Sequence, residues 1–144
     1  MVRQIDHVTV AARDADAGLR VLGLLGSREV KSVVINGGPF AEYMGVPGIE
    51  AEHRTLVLEN ATPRFEKQLL TYRQPAVHAD PAAGDLARTG FNHICFAVDD
   101  LDAEVARLTA AGVKLRNEVM LFHDRKRVFV AGPEGVVVEL AQWV

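Results

Sequence analysis

Cysteine is almost missing from this chain. Cys95 stands alone among 144 residues, so no intrachain disulfide can form. Neither charge is in marked excess, and a net charge of −3 gives no electrostatic basis for binding nucleic acid or an anionic membrane surface. No apolar run approaches the length needed to span a bilayer, and no basic segment followed by an apolar run opens the chain. The expectation is therefore a cytoplasmic protein. With apolar residues at 49% and charged residues at 24%, the composition is that of an ordinary globular domain large enough for a real core.

What the chain does have is a repeat. In Phe91 to Glu104 (FNHICFAVDDLDAE), period-2 alternation puts Phe91, His93, Cys95 and Ala97 on one face of a strand. Ile94, Phe96 and Val98 form the other face, fully apolar and suited to a helix packed behind it. The first face carries one imidazole among small or apolar neighbours, as a strand lining a cavity would, with Cys95 read as a small buried filler. Asp100 supplies an N-cap, and Leu101, Val105 and Leu108 follow at helical spacing until Gly112 ends the helix. Moved back 86 positions, His93 falls on His7, Ala97 on Ala11, Asp100 on Asp14, Leu108 on Leu22 and Gly112 on Gly26. Agreement at the histidine, the cap, the helix face and the terminating glycine marks an internal duplication.

Taken in order, the pattern predicts strands over 4–12, 27–35, 53–59 and 64–72, with a helix from Asp14 to the glycines at 23 and 26. Residues 36–52 (NGGPFAEYMGVPGIEAE) read as a long Gly- and Pro-rich loop, either a lid or wall over a pocket or the cover of a hydrophobic edge or dimer contact. The second half repeats the plan: a strand from Phe91, a helix over 101–111, and strands over 113–121, 127–131 and 136–143. The expected organisation is a single domain of two βαβββ modules, about 1–73 and 90–144, joined by a linker over 74–89.

The last strands correspond as well: Glu139 aligns with Gln68, Leu140 with Leu69 and Trp143 with Tyr72. Glu139 shares its face with Val137, Ala141 and Trp143, where an unpaired carboxylate would cost several kcal/mol. A cation, an arginine or water must compensate it. Two histidines from first strands and a Gln/Glu pair from last strands, related by one pseudo-axis, would form a mixed nitrogen and oxygen metal site.

The segments IDHVTVAARDAD, GFNHICFAVDDLDAEVARLTAAGV and GPEGVVVELAQW resemble the vicinal oxygen chelate superfamily, which includes glyoxalase I, methylmalonyl-CoA epimerase, extradiol dioxygenases and bleomycin- or fosfomycin-resistance proteins. The resemblance implies an α+β fold in which two βαβββ modules with pseudo-twofold symmetry form a curled mixed sheet around a metal-binding cup. It also implies a homodimer acting on a small-molecule substrate. The family's ligand positions match His7, Gln68, His93 and Glu139, and the ion could be Co, Ni, Mn, Fe or Zn. A His/Gln/His/Glu set resembles methylmalonyl-CoA epimerase, whereas glyoxalase I-like enzymes carry a carboxylate on both last strands.

The implied chemistry is proton abstraction next to a carbonyl, with the developing enolate stabilised by the ion. Gln68 cannot act as a base, so the proton must pass through Glu139 or a group beyond the ligands. Glu42, Tyr43, Glu50, Glu52, His53 and His123 are candidates. The epimerase resemblance calls for a glutamate on or beside the third strand, where Glu52 and His53 lie closest. Phe40, Tyr43, Phe122, Phe129 and Trp143 are candidate pocket lining. Alternative readings are a glyoxalase-like lyase, an Fe(II) extradiol-type dioxygenase using two His and one Glu, and a non-catalytic small-molecule-binding protein of the resistance type.

Overall fold

A computed structural model describes all residues, 1–144. The chain forms two compact units, Met1–Ala79 and Asp80–Val144. Each is built on a four-stranded mixed sheet, so the architecture is α+β. No helix is long and apolar enough to cross a membrane.

In the first unit, strand β1 (His7–Ala11) leads into helix α1 (Ala15–Leu24), then β2 (Ser27–Asn36), helix α2 (Gly38–Met44), β3 (Glu50–Leu58) and β4 (Glu66–Gln74). The strand order is β1-β4-β3-β2, with β1 parallel to β4 and the other pairs antiparallel. Asp14 caps α1 by accepting the Ala17 amide at 3.0 Å, satisfying one of the orphan donors of the first turn. Gly26, at φ +77, turns the chain out of that helix, a conformation a side chain resists.

Helix α1 lies close on the sheet because Gly18 has no side chain. A Cβ there would sit 3.0 Å from both methyl carbons of Leu69. Leu69 joins Ala12, Leu22 and Leu56 in a buried cluster beneath the helix. Cutting Leu69 back to alanine there would cost about 2–5 kcal/mol. A second cluster, Ile35, Ile49, Ala51 and Leu70, packs against Ala41, Val46 and Tyr72. The face away from α1 carries His7, Thr9 and Gln68 together with Ile35 and Leu70 of the second cluster.

The second unit repeats the plan with β5 (His93–Ala97), helix α3 (Leu101–Ala110), β6 (Met120–Phe122), β7 (Arg125–Ala131), a 3-10 turn at Pro133–Gly135 and β8 (Val137–Trp143). The order is β5-β8-β7-β6, with β5 parallel to β8. Asp100 caps α3 through the Ala103 amide at 3.0 Å, and Leu101 and Leu108 are fully buried. The duplication is thus expressed in topology as well as in sequence.

Three local expectations are corrected. The segment 36–52 is not one loop: Gly37 at φ +87, Pro39 in the first turn and a left-handed Gly45 bracket the seven-residue α2. Its brevity hides any helical period. The strand expected over 113–121 shrinks to Met120–Phe122, after a single bridge between Leu115 and Val130. Beyond the bridge the Arg116 amide still donates to the Phe129 carbonyl at 2.8 Å, and then a side chain takes over, Asn117 accepting the Phe129 amide at 2.8 Å. Finally, Cys95 is exposed rather than buried, because its face of β5 is the open one and the apolar face packs behind.

Candidate functional site

Each unit presents a histidine from its first strand and an amide or carboxylate from its last. In the first unit, the register pairs Thr9 with Gln68 across β1 and β4 and Thr55 with Gln68 across β3 and β4. Residues of like parity therefore share the open face, which brings His7, Thr9, Gln68 and His53 to the wall of one cavity of about 390 Å³. Helix α2 closes its side with Phe40, Tyr43 and Met44, and Val33, Ile35 and Leu70 line the sheet.

His7 donates from Nδ1 to the Asp6 carboxylate at 2.7 Å, since a carboxylate can only accept. This fixes the tautomer and leaves Nε2 as the lone-pair nitrogen. The Gln68 carbonyl accepts the Thr9 hydroxyl at 3.0 Å and faces His53 Nε2 at 3.0 Å. A carbonyl oxygen needs a donor there, so His53 carries its proton on Nε2 and its lone pair on Nδ1.

Glu52 points the other way. It shares the helix-side face with Arg54, which it meets at 2.9 Å, and accepts the Ser32 hydroxyl at 3.2 Å. Glu50 pairs with Arg73 at 3.2 Å. Tyr43 lines the cavity while Glu42 does not, and His123 sits exposed in a turn at φ +55.

The second unit has the same layout with altered chemistry. His93 donates from Nδ1 to the Asn92 side-chain oxygen at 2.7 Å, and the Asn92 amide is held in that orientation by donating to the Leu86 carbonyl at 2.8 Å. His93 Nε2 then faces Glu139 Oε2 at 3.3 Å. That is longer than the roughly 2.7–2.9 Å of a good charge-assisted hydrogen bond. It matches the separation, roughly 3.0–3.4 Å, of two ligands that each lie about 2.1 Å from a shared ion. Phe129 packs its ring edge-on against His93, with centroids 5.2 Å apart.

Glu139 is buried, and the compensation anticipated from sequence comes from Arg127, whose Nη1 lies 3.6 Å from Oε1. Cys95 sits opposite Glu139 in the register, as Thr9 sits opposite Gln68. Desolvation, and then the hydrogen bond to Glu139, push its thiol up to about 11. Arg127 escaped the reading of the sequence. The signal that could have found it is its place: it stands diagonal to Glu139 on β7 as His53 stands diagonal to Gln68 on β3. Of the aromatic candidates in this unit, Phe122 and Trp143 are exposed, and Trp143 lies under the Arg125 guanidinium at 4.1 Å.

Each unit's pair is of a kind that suits a borderline divalent cation: an imidazole nitrogen with an amide oxygen in the first, and with a carboxylate in the second. No group of three or more His, Cys, Asp or Glu side chains clusters as a metal site, and the candidates occur as one pair per unit.

Over its full length the chain is similar to ethylmalonyl-CoA/methylmalonyl-CoA epimerase of Cereibacter sphaeroides, at 27% identity with 99% of each chain covered. It is also similar to glyoxalase I of Saccharomyces cerevisiae, at 35% identity over 51 residues, which are 35% of this chain and 16% of the yeast protein. Among solved structures, a glyoxalase family protein from Bacillus cereus superposes with a TM-score of 0.89 at 21% identity, covering 100% of this chain and 96% of that one. Residues 4–140 match the family model, and the chain belongs to the Glyoxalase/Bleomycin resistance protein/Dioxygenase superfamily.

Proposed function

We propose that this protein is a metal-dependent epimerase or isomerase that removes a proton next to a carbonyl. In this reading the two units act together as the modules of one domain. Its metal-ligand residues are His7 and Gln68 in the first unit and His93 and Glu139 in the second. The observation that carries the reading is the His93–Glu139 contact. With Nδ1–H committed to Asn92, Nε2 and a carboxylate oxygen meet at 3.3 Å, and two lone pairs cannot face each other there without a positive charge between them. A shared cation supplies that charge, and so would a second proton on the imidazole. Similarity over the full chain to an epimerase supports the choice of reaction.

When bound, such an ion supplies Lewis-acid stabilisation of negative charge developing on a substrate oxygen. The chain's own residues do the rest. Asp6 and Asn92 hold the two imidazoles so that both present Nε2. Arg127 lies against Glu139 and fixes it in its buried place. Both lone pairs of the Gln68 carbonyl are engaged, by Thr9 and His53, so coordination by Gln68 would replace the His53 contact. His53, which lines the cavity and keeps a lone pair on Nδ1, is the residue best placed to accept the substrate proton. Glu139 remains the alternative acceptor, and Glu52, paired on the opposite face, takes a supporting place only.

A small-molecule substrate, a homodimer and a cytoplasmic location complete the reading, on the strength of family membership. Elemental analysis of the purified protein tests it, followed by proton exchange of 2-alkylmalonyl thioesters in D2O. The expected result is a bound divalent ion and deuterium at the carbon between the carbonyls, both lost with EDTA. A full-length protein that binds no divalent ion above micromolar affinity would sink the reading. The local match to glyoxalase I supports a second one, a glyoxalase-like lyase, which would instead turn over a hemithioacetal.

A further inference from the structure

Strand β2 contains a β-bulge that changes which residues face the cavity. Across β2 and β3, Glu29 pairs with Leu56 and Lys31 with Thr55, so Val30 is an extra residue with no partner. In a regular strand Glu29 and Lys31 would lie on the same face. Here Glu29 stays on the helix side, 3.4 Å from Arg54, while Lys31 turns to the cavity beside Val33 and Ile35. Lys31 has no ion-pair partner, and no carboxylate lines the cavity. It is the one lysine or arginine that lines the cavity.

We propose that Lys31 is a specificity-determining residue that binds the carboxylate of a small substrate whose apolar part lies against Phe40, Met44 and Leu70. The proposal rests on reading this cavity as the substrate site, and it names the side chain that would hold the free carboxylate of the 2-alkylmalonyl group. A bulge is a costly way to place a side chain in a flat ladder. It removes one pairing and twists the strand, and what it gains here is a cation on the cavity wall beside Val33 and Ile35.

The test is a 1H–15N NMR titration of the full-length protein with butyrate and with butyramide, two probes of like shape that differ in charge. It is run on the protein as purified and again with EDTA, so that the result stands apart from metal binding. The wild type is expected to bind butyrate about tenfold more tightly than butyramide in both conditions. Lys31→Met should bring the two affinities within about twofold, and Lys31→Arg should keep the preference. Equal binding of the two probes by the wild type overturns the proposal, as does a preference that survives Lys31→Met or vanishes with EDTA. Inorganic phosphate serves as the third probe, and tighter binding of phosphate than of butyrate at Lys31 would overturn the carboxylate assignment.

Discussion

The two units share a topology and differ in where they keep their acid. In the first, the carboxylate lies behind the histidine, as Asp6, and the last strand offers a neutral amide, Gln68. In the second, the amide lies behind the histidine, as Asn92, and the last strand offers the carboxylate, Glu139. The third strands differ to match: His53 faces the neutral Gln68, and Arg127 faces the charged Glu139. One scaffold thus supports two electrostatic solutions. The buried acid brings a guanidinium with it, and the neutral amide brings an imidazole. Only the first unit adds a second helix and a long β2, and with them the walls of a cavity.

The largest expected effect separates the two last-strand residues. Glu139→Ala should abolish metal binding at micromolar ion, whereas Gln68→Ala should leave it measurable, as followed by calorimetry. Loss of equal size from both would erase the asymmetry. Next come the groups behind the histidines: Asp6→Ala and Asn92→Ala should each weaken the metal by about 10- to 100-fold. The Asp6 variant should suffer more because a charged acceptor holds its imidazole more firmly.

The smallest effect concerns Lys67 on β4, whose counterpart on β8 is the apolar Val138. Lys67 is buried under α1, where its ammonium donates to the Leu25 carbonyl at 3.3 Å, and burial lowers its pKa from 10.5 to about 8. A lysine whose folded pKa lies below its unfolded one binds fewer protons when folded. Stability should therefore rise with pH between about 8 and 10.5, by at most about 3 kcal/mol. Lys67→Met should gain about 1–2 kcal/mol at neutral pH and lose that slope in urea denaturation followed by circular dichroism. A destabilised variant would show that the helix-end hydrogen bond outweighs the buried charge.

Much of this was legible from residue spacing. The strand histidines, the aspartate caps and the helix-ending glycines are local signals, and each appears where its period placed it. The correspondence of Gln68 with Glu139 was readable from the residues that align beside them, Leu69 with Leu140 and Tyr72 with Trp143. What escaped depends on cross-strand geometry. Arg127 compensates Glu139 from a neighbouring strand, and nothing in its own sequence context marks it. The Val30 bulge is invisible without the β3 register, since an extra residue in a strand changes no local pattern. The short α2 was masked by the glycines and proline that bound it, which read equally as loop.

One feature of the histidine clamps reaches beyond chemistry. In both units the group that orients the imidazole is the residue immediately before it, Asp6 before His7 and Asn92 before His93. A dipeptide therefore carries the donor atom together with the means of aiming it. Copied with its strand, such a pair keeps its orientation whatever the rest of the sheet becomes. After duplication, each half was then free to exchange acid for amide without first having to rebuild the aim of its histidine.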